Sequence, residues 1–137
     1  MSMRTSRQRF GLRIAIGTVV WLGLAQGPLA AQQQSQQSYA SPEDAAAALA
    51  TATRSHDQAA LRAILGPGSE KLLSSGDRYA DEESQRRFAA AYDEKHTLVP
   101  KGAGRVELDV GSNDWPLPIP IVQADGHWQF DTRAGAE

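Results

Sequence analysis

Cysteine is absent from the 137 residues, which excludes disulfides, thiolate nucleophiles, thiolate metal sites and a cysteine-borne lipid. Histidine is scarce. His56, His96 and His127 stand far apart, with no HxH or HExxH spacing, so imidazole ligation of a metal is not expected. Neither Gly68-Ser69 nor Gly111-Ser112 supplies the G-x-S-x-G elbow of a serine nucleophile. Gly66-Pro67-Gly68 lacks the lysine step of a phosphate loop. No cofactor is expected from these residues. The main apolar run, Ile14 to Ala25, is twelve residues, well short of the roughly 20 that span a bilayer.

What is present at the start is an export signal. Arg4, Arg7, Arg9 and Arg13 make a basic opening, the apolar run follows, and Gly27-Pro28-Leu29-Ala30-Ala31 offers small residues to a signal peptidase. An uncleaved anchor is the rival reading, but Gly27-Pro28 breaks a helix at that point. Residues 1–31 are therefore expected to be removed near Ala31, leaving no stable membrane anchor and a periplasmic or secreted product. Gln8 separates Arg7 from Arg9, so no twin arginine is present. Gln32 to Ser38 has no apolar residue and cannot offset the entropy of ordering itself. Residues 32–40 are read as a flexible Gln/Ser linker.

Without the four leader arginines the chain holds ten bases against sixteen acids, a formal net charge of −6. Acids and bases are interspersed rather than clustered, which argues against nucleic acid and against an anionic membrane surface as partners. The 106 residues that follow Ala31 suffice for one domain with a core.

Ser41, Pro42, Glu43 and Asp44 spell a helix start: a capping hydroxyl, a proline at the first helical position, and acids at the positive end of the dipole. The apolar spacing predicts a helix over 42–54 and a second, capped by Asp57, over 58–65. A short turn of helix is expected over 69–73. A last helix over 81–95 carries Phe88, Ala91 and Tyr92 on one stripe, with Glu82–Arg86 and Glu83–Arg87 as ion pairs four residues apart. From His96 the period changes to two. Val106, Leu108 and Val110 alternate with Glu107 and Asp109, as in a strand with one wet face. The expectation is an α+β domain over 41–137, three or four amino-terminal helices on a small antiparallel sheet of three to four strands.

Pro116, Pro118 and Pro120 are spaced by two, so in an extended chain they withhold their missing N–H groups from the same edge. The ribbon from Trp115 to Val122 is therefore expected to pair along one edge, that of Leu117, Ile119 and Ile121. The alternative is a polyproline ligand for an aromatic groove. If Ile121 faces Phe130 across a hairpin, the closing pair is Gln123 with Trp128, around a four-residue loop over 124–127. A two-residue Asp125-Gly126 turn is the stronger local pattern, but it calls for a donor that Pro120 lacks.

These residues carry a resemblance. Ser41-Pro42-Glu43-Asp44-Ala45, Ile64-Leu65-Gly66-Pro67, Leu72 to Asp77, Phe88 to Lys95, Asn113 to Pro120 and Trp128 to Thr132 together resemble the exported bacterial family called domain of unknown function 2950, DUF2950. The resemblance implies periplasmic or secreted placement and brings no established activity. Members of the family usually continue beyond the length seen here, so the resemblance implies the amino-terminal half of a longer domain, with Arg133 to Glu137 as a helix start cut short. The order of helices followed by antiparallel strands also resembles the nuclear-transport-factor-2-like architecture, which hosts enzymes, binders and scaffolds alike.

Two functions from different classes fit. The favoured one is a non-enzymatic exported domain that binds an envelope protein or a small ligand. The other is an envelope enzyme whose pocket lies between the last helix and the sheet, with His96, Asp114 or His127 as acid or base. Trp115 is a weak ligand-stacking candidate, set against core packing as its ordinary role.

Overall fold

Four side chains in this sequence start helices by accepting a backbone N–H that the helix itself leaves without a partner. In the computed structural model, which describes residues 35–137, these are Ser41 (from Asp44 N, 3.1 Å), Asp57 (from Ala60 N, 3.0 Å), Asp77 (from Ala80 N, 3.1 Å) and Asp131 (from Ala134 N, 3.2 Å). They open α1 (Pro42–Arg54), α2 (Gln58–Leu65), α4 (Arg78–Glu94) and α5 (Thr132–Gly135), while α3 (Glu70–Leu73) is a single uncapped turn. α4 begins earlier than the expected Asp81 because Asp77 is the better-placed cap. Asp81 instead accepts the Ser75 amide with both carboxylate oxygens, at 3.1 Å each. The expected ion pairs are replaced by Arg78–Glu82 at 3.9 Å and Arg86–Glu83 at 3.3 Å. The export leader expected over 1–31 lies outside the described residues.

The strands are β1 (His96–Pro100), β2 (Arg105–Val110), β3 (Trp115–Pro116), β4 (Ile121–Ala124) and β5 (His127–Phe130). They form one antiparallel sheet in the order β1-β2-β4-β5, with β3 pairing the far end of β2. The α+β class agrees with the sequence reading; among the described residues the counts are five helices and five strands, more than expected. α4 lies over β1 and β2, α1 over β4 and β5, and α2 beside β5. The core between the layers is mainly aliphatic, with Phe130 and Tyr92 as its aromatics: Ala46, Leu49 and Ala50 from α1, Leu61 and Ile64 from α2, Tyr92 from α4, Leu108, Val110, Ile121 and Phe130 from the sheet.

The proline ribbon follows its donors. Asp109 pairs with Pro116, the Leu117 amide donates to Leu108 O at 2.8 Å, and the ladder resumes at Val106 with Ile121. Pro118 to Pro120 thus face Glu107 alone, a bulge of the kind that admits proline in a sheet. The one-sided expectation holds through Pro116 and is corrected at its end, since Ile121 and Val122 pair with β2 on one flank and β5 on the other. Their N–H groups are present, and the constraint stops at Pro120. The hairpin is corrected too. Ile121 faces Phe130 as expected, but the closing pair is Ala124 with His127 around a two-residue turn in which Asp125 and Gly126 take φ of 51° and 78°. That turn matches strand twist, and Pro120 only ends the ladder, its carbonyl accepting from Asp131 N at 2.8 Å.

The linker expected over 32–40 is ordered over its second half. The last four carbonyls of α2 would be orphans, and all are met from elsewhere. Gly66 N donates to Arg62 O and Gln37 N to Ala63 O, both at 2.8 Å; Gln36 Nε2 reaches Ile64 O at 3.1 Å and the Thr132 hydroxyl donates to Leu65 O. Gln36 Nε2 also reaches Phe130 O at 2.6 Å, and Tyr39 exchanges both backbone bonds with Trp128, at 2.7 and 2.8 Å. Glutamine offers two side-chain donors, so composition that reads as spacer here supplies hydrogen bonds. Gly66, at φ 77°, admits this because a Cβ there would lie 2.7 Å from the Gln36 side chain.

Gln36→Ala is expected to destabilise the domain by about 1–3 kcal/mol, the cost of leaving buried carbonyls unpartnered, read by urea denaturation. A second expectation concerns Tyr92, buried at 8% exposure between α4 and the core. Burial pushes its hydroxyl above the ordinary value of 10.0, so the folded state holds this proton more tightly than the unfolded chain. Its contribution is whole below the unfolded value and is lost as pH rises through the folded one. Tyr92→Phe should therefore flatten the alkaline decline in the denaturation midpoint; an unchanged decline would assign it to other groups.

Candidate functional site

The ribbon first pairs with β5 at Ile121, so on the β3 side of the bulge the sheet narrows to β1, β2 and the two residues of β3. Along that side the helix layer and the ribbon part, leaving a groove of about 690 Å³, within the range of ligand pockets. Its floor is Leu49, Leu61 and Leu65 from the helices with Val110, Leu117 and Ile119 from the sheet side. One wall is α4. Gln85 marks its border with α1 and α2, where the His56 Nδ1–H donates to Gln85 Oε1 at 2.7 Å. Ser84, Arg87 and Ala91 form the opposite border, since a Cβ on Gly111 would lie 3.5 Å from that of Ala91.

Gly111 joins α4 to the sheet beside the groove residues Ala91, Val110 and Asn113. Its amide donates to Ala91 O at 3.1 Å and Lys95 O at 2.8 Å, satisfying carbonyls at the end of α4. With φ 80° and Asn113 Oδ1 3.1 Å from where a Cβ would stand, the position suits glycine. At the lip, Trp115 is 49% exposed and Leu72 43% exposed. The core role expected of Trp115 is thus corrected: it shares a sheet face with its cross-strand partner Val110, but on the two-residue β3 it stands at the mouth of the groove instead of in the core. Trp128 does pack against the core.

The expected site residues do not converge. His96, Asp114 and His127 are absent from the groove lining, and Trp115 alone of the four borders it. His96 is held structurally, its ring stacked on Tyr92 at a centroid distance of 3.9 Å and its Nδ1–H donating to Tyr92 O at 2.8 Å. Asp114 adopts φ 51° in the turn before β3 and pairs with Lys95 Nζ at 2.6 Å. His127 follows the β4–β5 turn on an exposed strand end, with Nδ1 3.2 Å from Asp125 O. Among the described residues no group of three or more His, Cys, Asp or Glu could hold a metal ion, and no helix is long and apolar enough to cross a membrane.

Residues 36–137 match the family described as a protein of unknown function, DUF2950. The chain belongs to that family. The match begins at Gln36, the residue whose side chain reaches the end of α2, so the docked segment is part of the DUF2950 domain. No curated protein and no solved structure matches the chain. The nuclear-transport-factor-2-like expectation therefore rests on element order alone.

Among the groove residues, Ser84 and Gln85 drew no notice in the sequence of this DUF2950 domain, and Arg87 reads there only as an ion-pair partner of Glu83. Arg87 and Gln85 lie on a helix face that reads as solvated. The signal that pointed to the region was the proline spacing, which implied a ribbon covered along one edge only.

Proposed function

We propose that this protein is an exported, non-enzymatic binding domain of the cell envelope, whose groove between α4 and the proline ribbon takes an apolar ligand. The groove carries the reading: an aliphatic floor of Leu49, Leu61, Leu65, Val110 and Ile119 opens to solvent past Trp115 and Leu72. An exposed aromatic beside a concave apolar surface is the arrangement that gains most from covering by a ligand. Placement outside the cytoplasm rests on the basic-apolar-small order of residues 1–31. Binding rather than catalysis is favoured because the titratable groups that sequence reading put forward lie off the groove.

The test is titration with N-phenyl-1-naphthylamine, a neutral apolar probe that fluoresces when sheltered from water. Saturable binding is expected, weakened about tenfold or more by Trp115→Ala and by Leu72→Asp, in line with an aromatic anchor at a pocket mouth. His96→Ala, Asp114→Asn and His127→Ala should leave it unchanged. Absence of binding by the folded protein, shown folded by its denaturation transition, would contradict the groove reading. For export, recovery outside the cytoplasm with Gln32 as the new amino terminus is expected; a cytosolic product keeping Arg4 to Arg13 would contradict it.

A further inference from the structure

The groove wall is apolar but for a few groups whose charges can be accounted for. Asp81 is the acidic one, and both of its oxygens are engaged by the Ser75 amide. Arg87 is the basic one. Arg54, Arg78, Arg86, Lys95 and Lys101 are paired with carboxylates, while the exposed Arg62, Lys71, Arg105 and Arg133 are unpaired like Arg87 but lie off the groove. Arg87 has no carboxylate within ion-pair distance among the described residues, and its guanidinium touches only the Ser84 hydroxyl, at 3.2 Å. It stands on the border of α4 that faces the β2–β3 turn, above the aliphatic floor. The wall therefore leaves one positive charge uncompensated beside an apolar slot.

The slot is also long. From Asp81 to Ala91 it follows α4 for ten helical steps, on the order of 15 Å at the helical rise per residue. A groove of that length with an aliphatic floor has room for an extended chain laid along α4.

We infer that the groove binds a single-chain anionic amphiphile, an alkyl carboxylate, with its chain along Leu49, Leu61 and Ile119 and its carboxylate at the Arg87 guanidinium. The inference rests on the binding reading above and adds the chemistry of the head group. Guanidinium matches carboxylate with two parallel N–H donors, and the aliphatic floor contributes by shedding water from the chain. Arg87 is exposed, so its contribution is screened by salt, while that of the chain is not.

Calorimetric titration of the full chain with dodecanoate and with dodecanol tests this, because the two share a chain and differ in charge. Dodecanoate should bind about tenfold more tightly at low salt. Arg87→Gln should erase that preference and leave dodecanol binding as it was, and added salt should narrow the gap. Equal affinity for the two, with no effect of Arg87→Gln, would overturn the carboxylate inference and leave the apolar groove standing. Failure of both to bind would remove both readings. Binding of an apolar peptide with a free carboxyl terminus in place of dodecanoate would overturn the amphiphile as occupant.

Discussion

The prolines at 116, 118 and 120 withhold hydrogen-bond donors from one edge of the ribbon, and the shape of the functional face follows from that deficit. A strand without N–H groups cannot lie in the middle of a ladder. The chain resolves this by pairing β3 on one edge, bulging from Pro118 to Pro120 opposite Glu107, and entering the sheet fully only at Ile121. Ile119 turns inward at the bulge and meets α5 so closely that a Cβ on Gly135 would lie 2.6 Å from its Cγ1. Because β5 has no partner strand before Ile121, the sheet is narrow beside β3, and the space between that ribbon and α4 stays open. The same donor-poor edge protects the domain from pairing with another chain there.

A second constraint closes the other side of the domain. α2 ends at Gly66 with its carbonyls turned toward the segments before α1 and after β5, where Gln36, Gln37 and Thr132 supply the donors. The docked segment also pairs through Tyr39 with Trp128 on the outer side of β5, covering an edge that would otherwise carry free donors and acceptors. One helix end, one sheet edge and the segments around Gln36 and Thr132 thus share a single network. A cysteine-free chain has no covalent link for this purpose.

Much of the fold was legible because its signals are local. Ser41-Pro42 and Asp57 set α1 and α2 at the expected residues, and alternation from Val106 to Val110 placed β2. The misreadings came where a long-range partner decides. Gln36 and Gln37 read as spacer because nothing nearby needs their donors; the need is at Ala63 to Leu65 and Phe130. The hairpin departs from expectation because the missing N–H of Pro120 falls at the end of the ladder, where it costs a single bond. Asp77 was passed over as the cap of α4 because Arg78 to Ala80 carry no apolar stripe. The groove itself was foreshadowed only as a space between the last helix and the sheet. Which side chains line it depends on the bulge, and the titratable residues that sequence reading put forward, His96, Asp114 and His127, are held by local partners outside it.

The account depends on the ladder breaking at the bulge while it holds on either side. Amide hydrogen exchange resolved by residue tests this most directly. The Leu117 and Gln123 amides, which donate to Leu108 O and Gly104 O, each at 2.8 Å, should exchange slowly, and the Ile119 amide between them should exchange orders of magnitude faster. Uniform protection from Leu117 through Gln123 would mean a continuous strand, with no bulge and no structural origin for the groove.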